Sequence, residues 1–264
     1  MKKNKIYLTT TEKDKTPIKY LFSEGHLLHD ELTSEELGYN ENGELTEKII
    51  SIKDKNKHTL KFFSYNSYGE CISEIEHIYE YNCLGNEISL RIIEDGKLDS
   101  EQLSTYNNEN LLVLETTYDF EGNDYLTEIF YDEFNRQKRL EFRTNGSIDL
   151  IVEIEFDLKN NSEISKEYNS SKILIDKSII YYDENNLPTK YEKYDLNDNV
   201  ISHSITKYKN QKKIEEIDFD ENDNIIKISK IRFYAKQEYE KMKENYYYEN
   251  GVEIKKEIFE YIYE

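Results

Sequence analysis

Several things are scarce in these 264 residues. There is no tryptophan, and there are two prolines, two cysteines, two methionines and nine glycines. Two prolines, Pro17 and Pro188, leave room for long uninterrupted strand pairing. The cysteines, Cys71 and Cys83, fall near opposite ends of one expected strand, more than about 20 Å apart. A disulfide needs Cα atoms within about 7 Å, so both are expected to be free thiols in a reducing cytoplasm. No run of about 18 apolar residues occurs, which excludes a membrane-spanning helix. The opening Met1-Lys2-Lys3-Asn4-Lys5 leads into no apolar secretory core. Basic charge is also short: 35 Lys and Arg stand against 55 Asp and Glu, for a net charge of −20. This disfavours nucleic acid phosphates and anionic membranes and favours a basic protein partner. The same charge would also keep exposed strands soluble. Catalytic fingerprints are missing: no Gly-x-Ser-x-Gly, phosphate-binding loop, dinucleotide glycine pattern or Cys-x-x-Cys. No enzyme, cofactor or metal is expected.

Hydrophobic residues make up only 37% of the chain, so the expected core is thin, and 24 tyrosines fill part of the deficit. A tyrosine can pack its ring across strands while its hydroxyl stays wet.

What is abundant is one local pattern: an aromatic, then Asn or Asp, then a Gly- or Asn-rich break, then a β-favouring run. It reads Tyr39-Asn40-Glu41-Asn42-Gly43, Tyr65-Asn66-Ser67-Tyr68-Gly69, Tyr118-Asp119-Phe120-Glu121-Gly122 and Tyr131-Asp132-Glu133-Phe134-Asn135, with further copies at Tyr81, Tyr182, Tyr194 and Phe219. Asn and Asp close turns through their side chains, and Gly takes positive φ, with Asn135, Asn186 and Asn199 expected to replace it. From 106 to 219 the aromatics recur every 11 to 14 residues, one strand and one turn at a time. Ile148, Leu150, Val152, Ile154 and Phe156 alternate with Asp149, Ile151, Glu153 and Glu155, which predicts half-buried strands with the first set inward.

The expected fold is therefore all-β: an elongated antiparallel β-meander of tandem hairpin repeats, about 25 residues per two strands, open or curled. It is expected to form a single domain, with an irregular N-terminal segment that includes the first strand or strands over 1–38, the array over 39–233, and a helical insertion with the C-terminal strand or strands over 234–264. Thr33 to Leu37 reads as a short helix or a loop. Residues 235–245 carry strong helix formers with Glu238–Lys241 and Glu240–Lys243 pairs, which predicts a short helical insertion.

His26-x-x-His29-Asp30 has metal-like spacing, but no further His or Cys lies nearby, and surface histidines are the expectation. Asp218-x-Asp220-x-Asn222 starts like a calcium loop, yet Asp223 and Ser229 stand where that loop needs Gly and Glu. The densest acidic stretch is Glu215, Glu216, Asp218, Asp220, Glu221 and Asp223. With Tyr181, Tyr182, Tyr191 and Tyr194 it forms the candidate partner-binding surface. The alternative is a solvated turn flanked by structural tyrosines.

The segments Tyr39 to Leu45, Tyr118 to Tyr125, Tyr131 to Leu140 and Tyr182 to Tyr191 resemble YD (Rhs-type) repeats, and also the short bacterial repeat proteins that act as antitoxins or immunity proteins. The likeness spans roughly residues 39–233. The usual Gly-Arg after the turn is nearly absent, Asn135-Arg136 coming nearest. Large Rhs proteins wind such repeats into a closed shell around a toxin; this chain looks too short to close one. The resemblance implies a non-enzymatic bacterial protein, an immunity protein that neutralises a basic toxin by direct binding. The alternative is a structural repeat protein that self-associates through sheet edges or forms part of a larger YD-type shell.

Overall fold

The computed structural model describes residues 3–13, 15–27, 32–233 and 240–263. Every regular element among them is a β-strand. The chain divides into two compact units, residues 1–74 with 201–264, and residues 75–200.

The first unit takes β1 (Lys3–Glu12), β2 (Ile18–Leu27), β3 (Thr33–Tyr39), β4 (Leu45–Lys53) and β5 (Thr59–Asn66) from the N-terminal side. From the C-terminal side it takes nearly all of β16 (Val200–Lys209), then β17 (Lys212–Asp220), β18 (Ile225–Phe233), β19 (Glu240–Glu249) and β20 (Val252–Tyr263). The second unit holds most of β6 (Cys71–Tyr81), then β7 (Glu87–Glu94), β8 (Lys97–Tyr106), β9 (Leu112–Asp119) and β10 (Asp124–Tyr131). It continues with β11 (Gln137–Thr144), β12 (Ser147–Asp157), β13 (Ser162–Asn169), β14 (Leu174–Tyr182) and β15 (Pro188–Tyr194).

All twenty strands belong to one sheet. The first strand pairs with the last: Asn4 faces Tyr263, Leu8 faces Phe259 and Glu12 faces Lys255, antiparallel and without a register shift. Within the first unit the two terminal strands therefore pair with each other, and neither is a free edge. This corrects the expected open or curled meander, in which the first and last strands would each lie at an edge. The helical expectations also fail. Thr33–Tyr39 is a strand paired on both sides, and Glu240–Glu249 pairs with β18 and β20. The helix-forming residues 235–239 lie outside the described residues. Cross-strand pairing on two sides outweighs a local helix preference of a few tenths of a kcal/mol per residue, roughly.

The aromatic-Asx repeat is a hydrogen-bonded loop used again and again. At Asp195 the backbone N donates to Asn199 O at 2.9 Å, and Asp198 N donates to Asp195 O at 3.2 Å. The Asp195 carboxylate accepts from the backbone N of Asn197 and Asn199 and from Asn199 Nδ2. The same backbone pair recurs at Asn40, Asn66, Asn82, Asn107, Asp119, Asp132, Asn169, Asp183 and Asp220. The fourth residue takes positive φ: Gly85 at 86°, Asn135 at 60°, Asn186 at 59° and Asp198 at 65°. Asp198, not Asn199, holds that place. A second turn type, two residues both at positive φ, occurs at Asp95-Gly96, Asn145-Gly146, Asn210-Gln211 and Asn250-Gly251, the geometry that suits two-residue hairpins.

Hydrogen bonds to the loop carboxylates lower their pKa; for Asp195 the largest cause is the Asn199 side chain. Asp119, Asp157 and Asp220 are lowered likewise. A carboxyl lowered in the folded state stabilises above its unfolded value and loses that contribution as pH falls through the folded one. Stability should thus be flat near neutral pH and decline below about pH 4. Asp195→Asn, which copies the residue of the sister loops, should keep the neutral-pH melting temperature and reduce the acid sensitivity. Asp195→Ala should lower it at every pH. Thermal melts from pH 3 to 7 check this; equal losses for both variants would contradict the assigned role of the side chain.

The tyrosine before the loop has a specific task. Tyr106 Oη donates to Glu87 O at 2.9 Å and Tyr131 Oη to Leu112 O at 2.8 Å. Each reaches back 19 residues to the first residue of the preceding strand, while its own strand shifts register at that point. Tyr182 reaches Glu163, also 19 residues back. These hydroxyls are bonded rather than left wet. Tyr131→Phe should cost about 1 kcal/mol, read as a lower urea midpoint with unchanged slope; an unchanged midpoint would contradict the strap.

The core is thin. Among the described residues only Leu8, Ile129 and Ile151 are buried hydrophobics. Ile151 lies on the mixed face of β12, opposite the face expected to be inward, and is only 3% exposed; Leu150, Val152 and Ile154 are half-buried.

Candidate functional site

The candidate residues fall in both units. In the first, alternation along β17 separates the acids. Glu215 faces Lys207 and Lys230, while Glu216 and Asp218 point to the opposite face, beside Ser229 and Lys227. Glu215 pairs with Lys207 Nζ at 2.5 Å, and Glu216 with Lys213 Nζ at 2.6 Å. Asp220 is spent on its own loop, where the Asn224 side chain is the largest cause of its lowered pKa. Glu221 and Asp223 are exposed on the loop, Asp223 with φ of 61° and its Oδ1 3.8 Å from His203 Nδ1. Asp218 stands apart: burial, then the Glu216 charge, pushes its carboxyl above the usual range.

In the second unit, Tyr181 and Tyr194 share a face with Glu192, whereas Tyr182 and Tyr191 occupy the other. Tyr181 Oη and Tyr194 Oη both donate to Glu192 Oε2, at 2.8 and 2.5 Å. Lys190 Nζ sits 2.5 Å from Glu192 Oε1 and 5.5 Å from the Tyr181 ring centroid. Lys177 lies 4.9 Å from the Tyr194 ring and pairs with Asp198 at 2.6 Å. Burial alone would raise Glu192, but Lys190 and the two phenols outweigh it and hold the carboxyl below its usual range. Burial and the Glu192 acceptor push Tyr194 well up. Such a clasp keeps the carboxylate ionised and both phenols protonated. That arrangement anchors side chains.

Sequence reasoning missed this buried-glutamate arrangement, which recurs. Glu244, 5% exposed, accepts from Tyr246 Oη at 2.9 Å and from Arg232 Nη2 at 2.9 Å. Glu141, 7% exposed, is held by Arg139 Nη2 at 2.5 Å and Arg143 Nη2 at 2.7 Å. The signal was a partner two residues away on the same face: Glu192-Lys193-Tyr194, Glu244-Asn245-Tyr246 and Arg139-Leu140-Glu141-Phe142-Arg143.

His26 Nε2 lies 3.3 Å from Glu24 Oε1, while His29 and Asp30 fall outside the described residues. Among the described residues no group of three or more His, Cys, Asp or Glu side chains is placed to hold a metal. Cys71 and Cys83 are free and exposed. An open depression of about 580 Å³ in the second unit is lined by Val113, Ile129 and Tyr131, with Glu109, Glu133 and Lys138 at its rim. The nearby Asp132 carboxylate is taken by Arg136 and its own loop.

No protein-family model matches the chain, and neither does any curated protein. Among solved structures, it is similar to a porin-like protein from Bacteroides uniformis ATCC 8492, at 11% identity and a TM-score of 0.41, covering 99% of this chain and 96% of that one. It is also similar to part of a TcdB2-TccC3-Cdc42 structure, at 11% identity and a TM-score of 0.47. That match covers 94% of this chain and spans 15% of the other. A related TcdB2-TccC3-TEV structure matches at a TM-score of 0.46 and 11% identity, covering 93% of this chain and 15% of that one.

Proposed function

We propose that the chain is a non-enzymatic structural β-repeat wall, of the kind that forms part of a larger YD-type shell, and that it works through the faces of its sheet. The observation that carries this reading is the β1–β20 ladder. Pairing the first strand with the last leaves neither as a free edge, which removes the usual handle for edge-to-edge association. The buried carboxylates are bound to arginines, lysines and phenols rather than poised around a cavity.

Both faces carry charged and polar side chains. A membrane-spanning barrel needs a continuous apolar band about 25 Å tall on one face. In the second unit, one face of the sheet carries Arg139, Glu141 and Arg143. The other carries Asp176 with Lys193, and Gln102 with Glu115. Among the described residues no helix is long and apolar enough to cross a membrane.

The net charge of −20 favours a second reading, capture of a basic protein in the manner of an immunity protein. Sedimentation of the native chain from its own lysate, at low salt and at about 1 M salt, separates the two. A wall segment should travel in a large assembly that resists salt. A species of 31.7 kDa that releases one basic protein at high salt would favour capture and contradict the wall.

A further inference from the structure

We propose that the Asn250-Gly251 turn joining β19 to β20 is a spontaneous modification site, where Asn250 deamidates through a cyclic imide with water as the only co-reactant. The chemistry has three requirements. The backbone nitrogen of the next residue must reach the Asn side-chain carbonyl carbon, which glycine permits because it has no Cβ. That nitrogen must not be engaged in a hydrogen bond. The side-chain amide must be free to turn. The new C–N bond then expels ammonia, and water opens the imide at either carbonyl to leave aspartate or isoaspartate. No electrons are gained or lost.

The chain holds three Asn-Gly pairs, at 42–43, 145–146 and 250–251, and all are exposed. Nothing crowds any of the three glycines, so access does not separate them. Hydrogen bonding does. At the first pair Gly43 N donates to Asn40 O at 3.0 Å, which engages the attacking nitrogen. At the second the amide is clamped: Asn145 Nδ2 donates to Asn123 Oδ1 at 3.1 Å, and Asn145 Oδ1 accepts from Asp124 N at 3.0 Å. At the third, no described residue bonds either the Asn250 side chain or the Gly251 N–H. The second and third pairs share a backbone conformation, with Asn φ of 50° at both and Gly φ of 78° and 74°. The clamp is therefore what distinguishes them. Isoaspartate would put one more carbon into the backbone of the turn between the paired residues Glu249 and Val252, and two-residue turns tolerate few geometries. It would also add a carboxylate between Glu249 and Glu253. Both changes fall at the start of β20, the strand that pairs with β1.

The test ages the full chain in mildly alkaline buffer and follows the three Asn-Gly peptides by digestion and mass spectrometry. The same chain unfolded in guanidinium is the reference. The expected result is loss of Asn250 about tenfold faster than Asn42 or Asn145 in the folded chain, with similar rates at all three when unfolded. Asn123→Ala, which removes one arm of the clamp, should speed Asn145 about fivefold and leave Asn250 unchanged. If that variant melts well below the wild type, the comparison of folded with unfolded chain decides alone. Fastest loss at Asn42 or Asn145, equal rates at the three sites in the folded chain, or an Asn250 that stays intact while the unfolded chain reacts would each overturn the proposal. An unchanged Asn145 rate in a folded Asn123→Ala chain would do the same. The wall reading stands or falls separately, on the sedimentation of the native chain.

Discussion

Thr9→Pro and Thr10→Pro should each destabilise the protein by about 3 kcal/mol or more. Proline removes a backbone donor, and its ring clashes with the paired strand. On an edge strand the donors of successive residues alternate between a neighbour and solvent, so one of two adjacent prolines is tolerated. β1 has a partner on both sides: Thr9 faces Lys19 and Ile258, and Thr10 faces Ile18 and Glu257. Every donor along this stretch therefore points at a strand. Denaturant titrations of both variants measure the effect. Near-wild-type stability for either would mean that one side of β1 is free and that the sheet is open.

Ile151→Ala should cost about 2–5 kcal/mol, the range for emptying a buried aliphatic site. Leu150→Ala, one residue away, should cost clearly less because Leu150 is only half-buried. Ile151 is 3% exposed and lies in register between Glu141 and Tyr168. Equal costs at the two positions would contradict this account of the core.

That pair of residues shows where the sequence was legible and where it was not. Alternation from Ile148 to Phe156 identified a strand correctly, because period two reports pleating directly. It did not single out Ile151: the five residues of the apolar face are all half-buried, and the one buried side chain of the strand lies on the mixed face. The turns were the most legible part: Tyr131-Asp132 and Tyr182-Asp183 encode loop, register shift and hydroxyl strap within a few residues. Closure was not legible. The alternation of Lys3–Glu12 is satisfied by any antiparallel partner, and the actual one lies at the other end of the chain. The strand over Glu240–Glu249 was obscured by good helix formers, whose preference matters only where no neighbouring strand claims the backbone.

The candidate surface divides in the same way. Glu215 to Asp223 reads as one acidic stretch along the sequence, but a strand sends alternate residues to opposite faces. Glu216, Asp218 and Asp220 share a face, and of these Asp220 is taken by its own loop. The buried glutamates could have been found from same-face partners two residues away. They were hidden by a composition in which carboxylates are common.

Hydrogen exchange of the full chain, resolved to single amides in β1 and β20, tests closure most directly. The closed sheet predicts slow exchange at every interior position of both strands, comparable to β11 and β12, which lie between partners on both sides. Alternating fast and slow amides along β1 or β20, the mark of a strand with one solvent-facing edge, would contradict it.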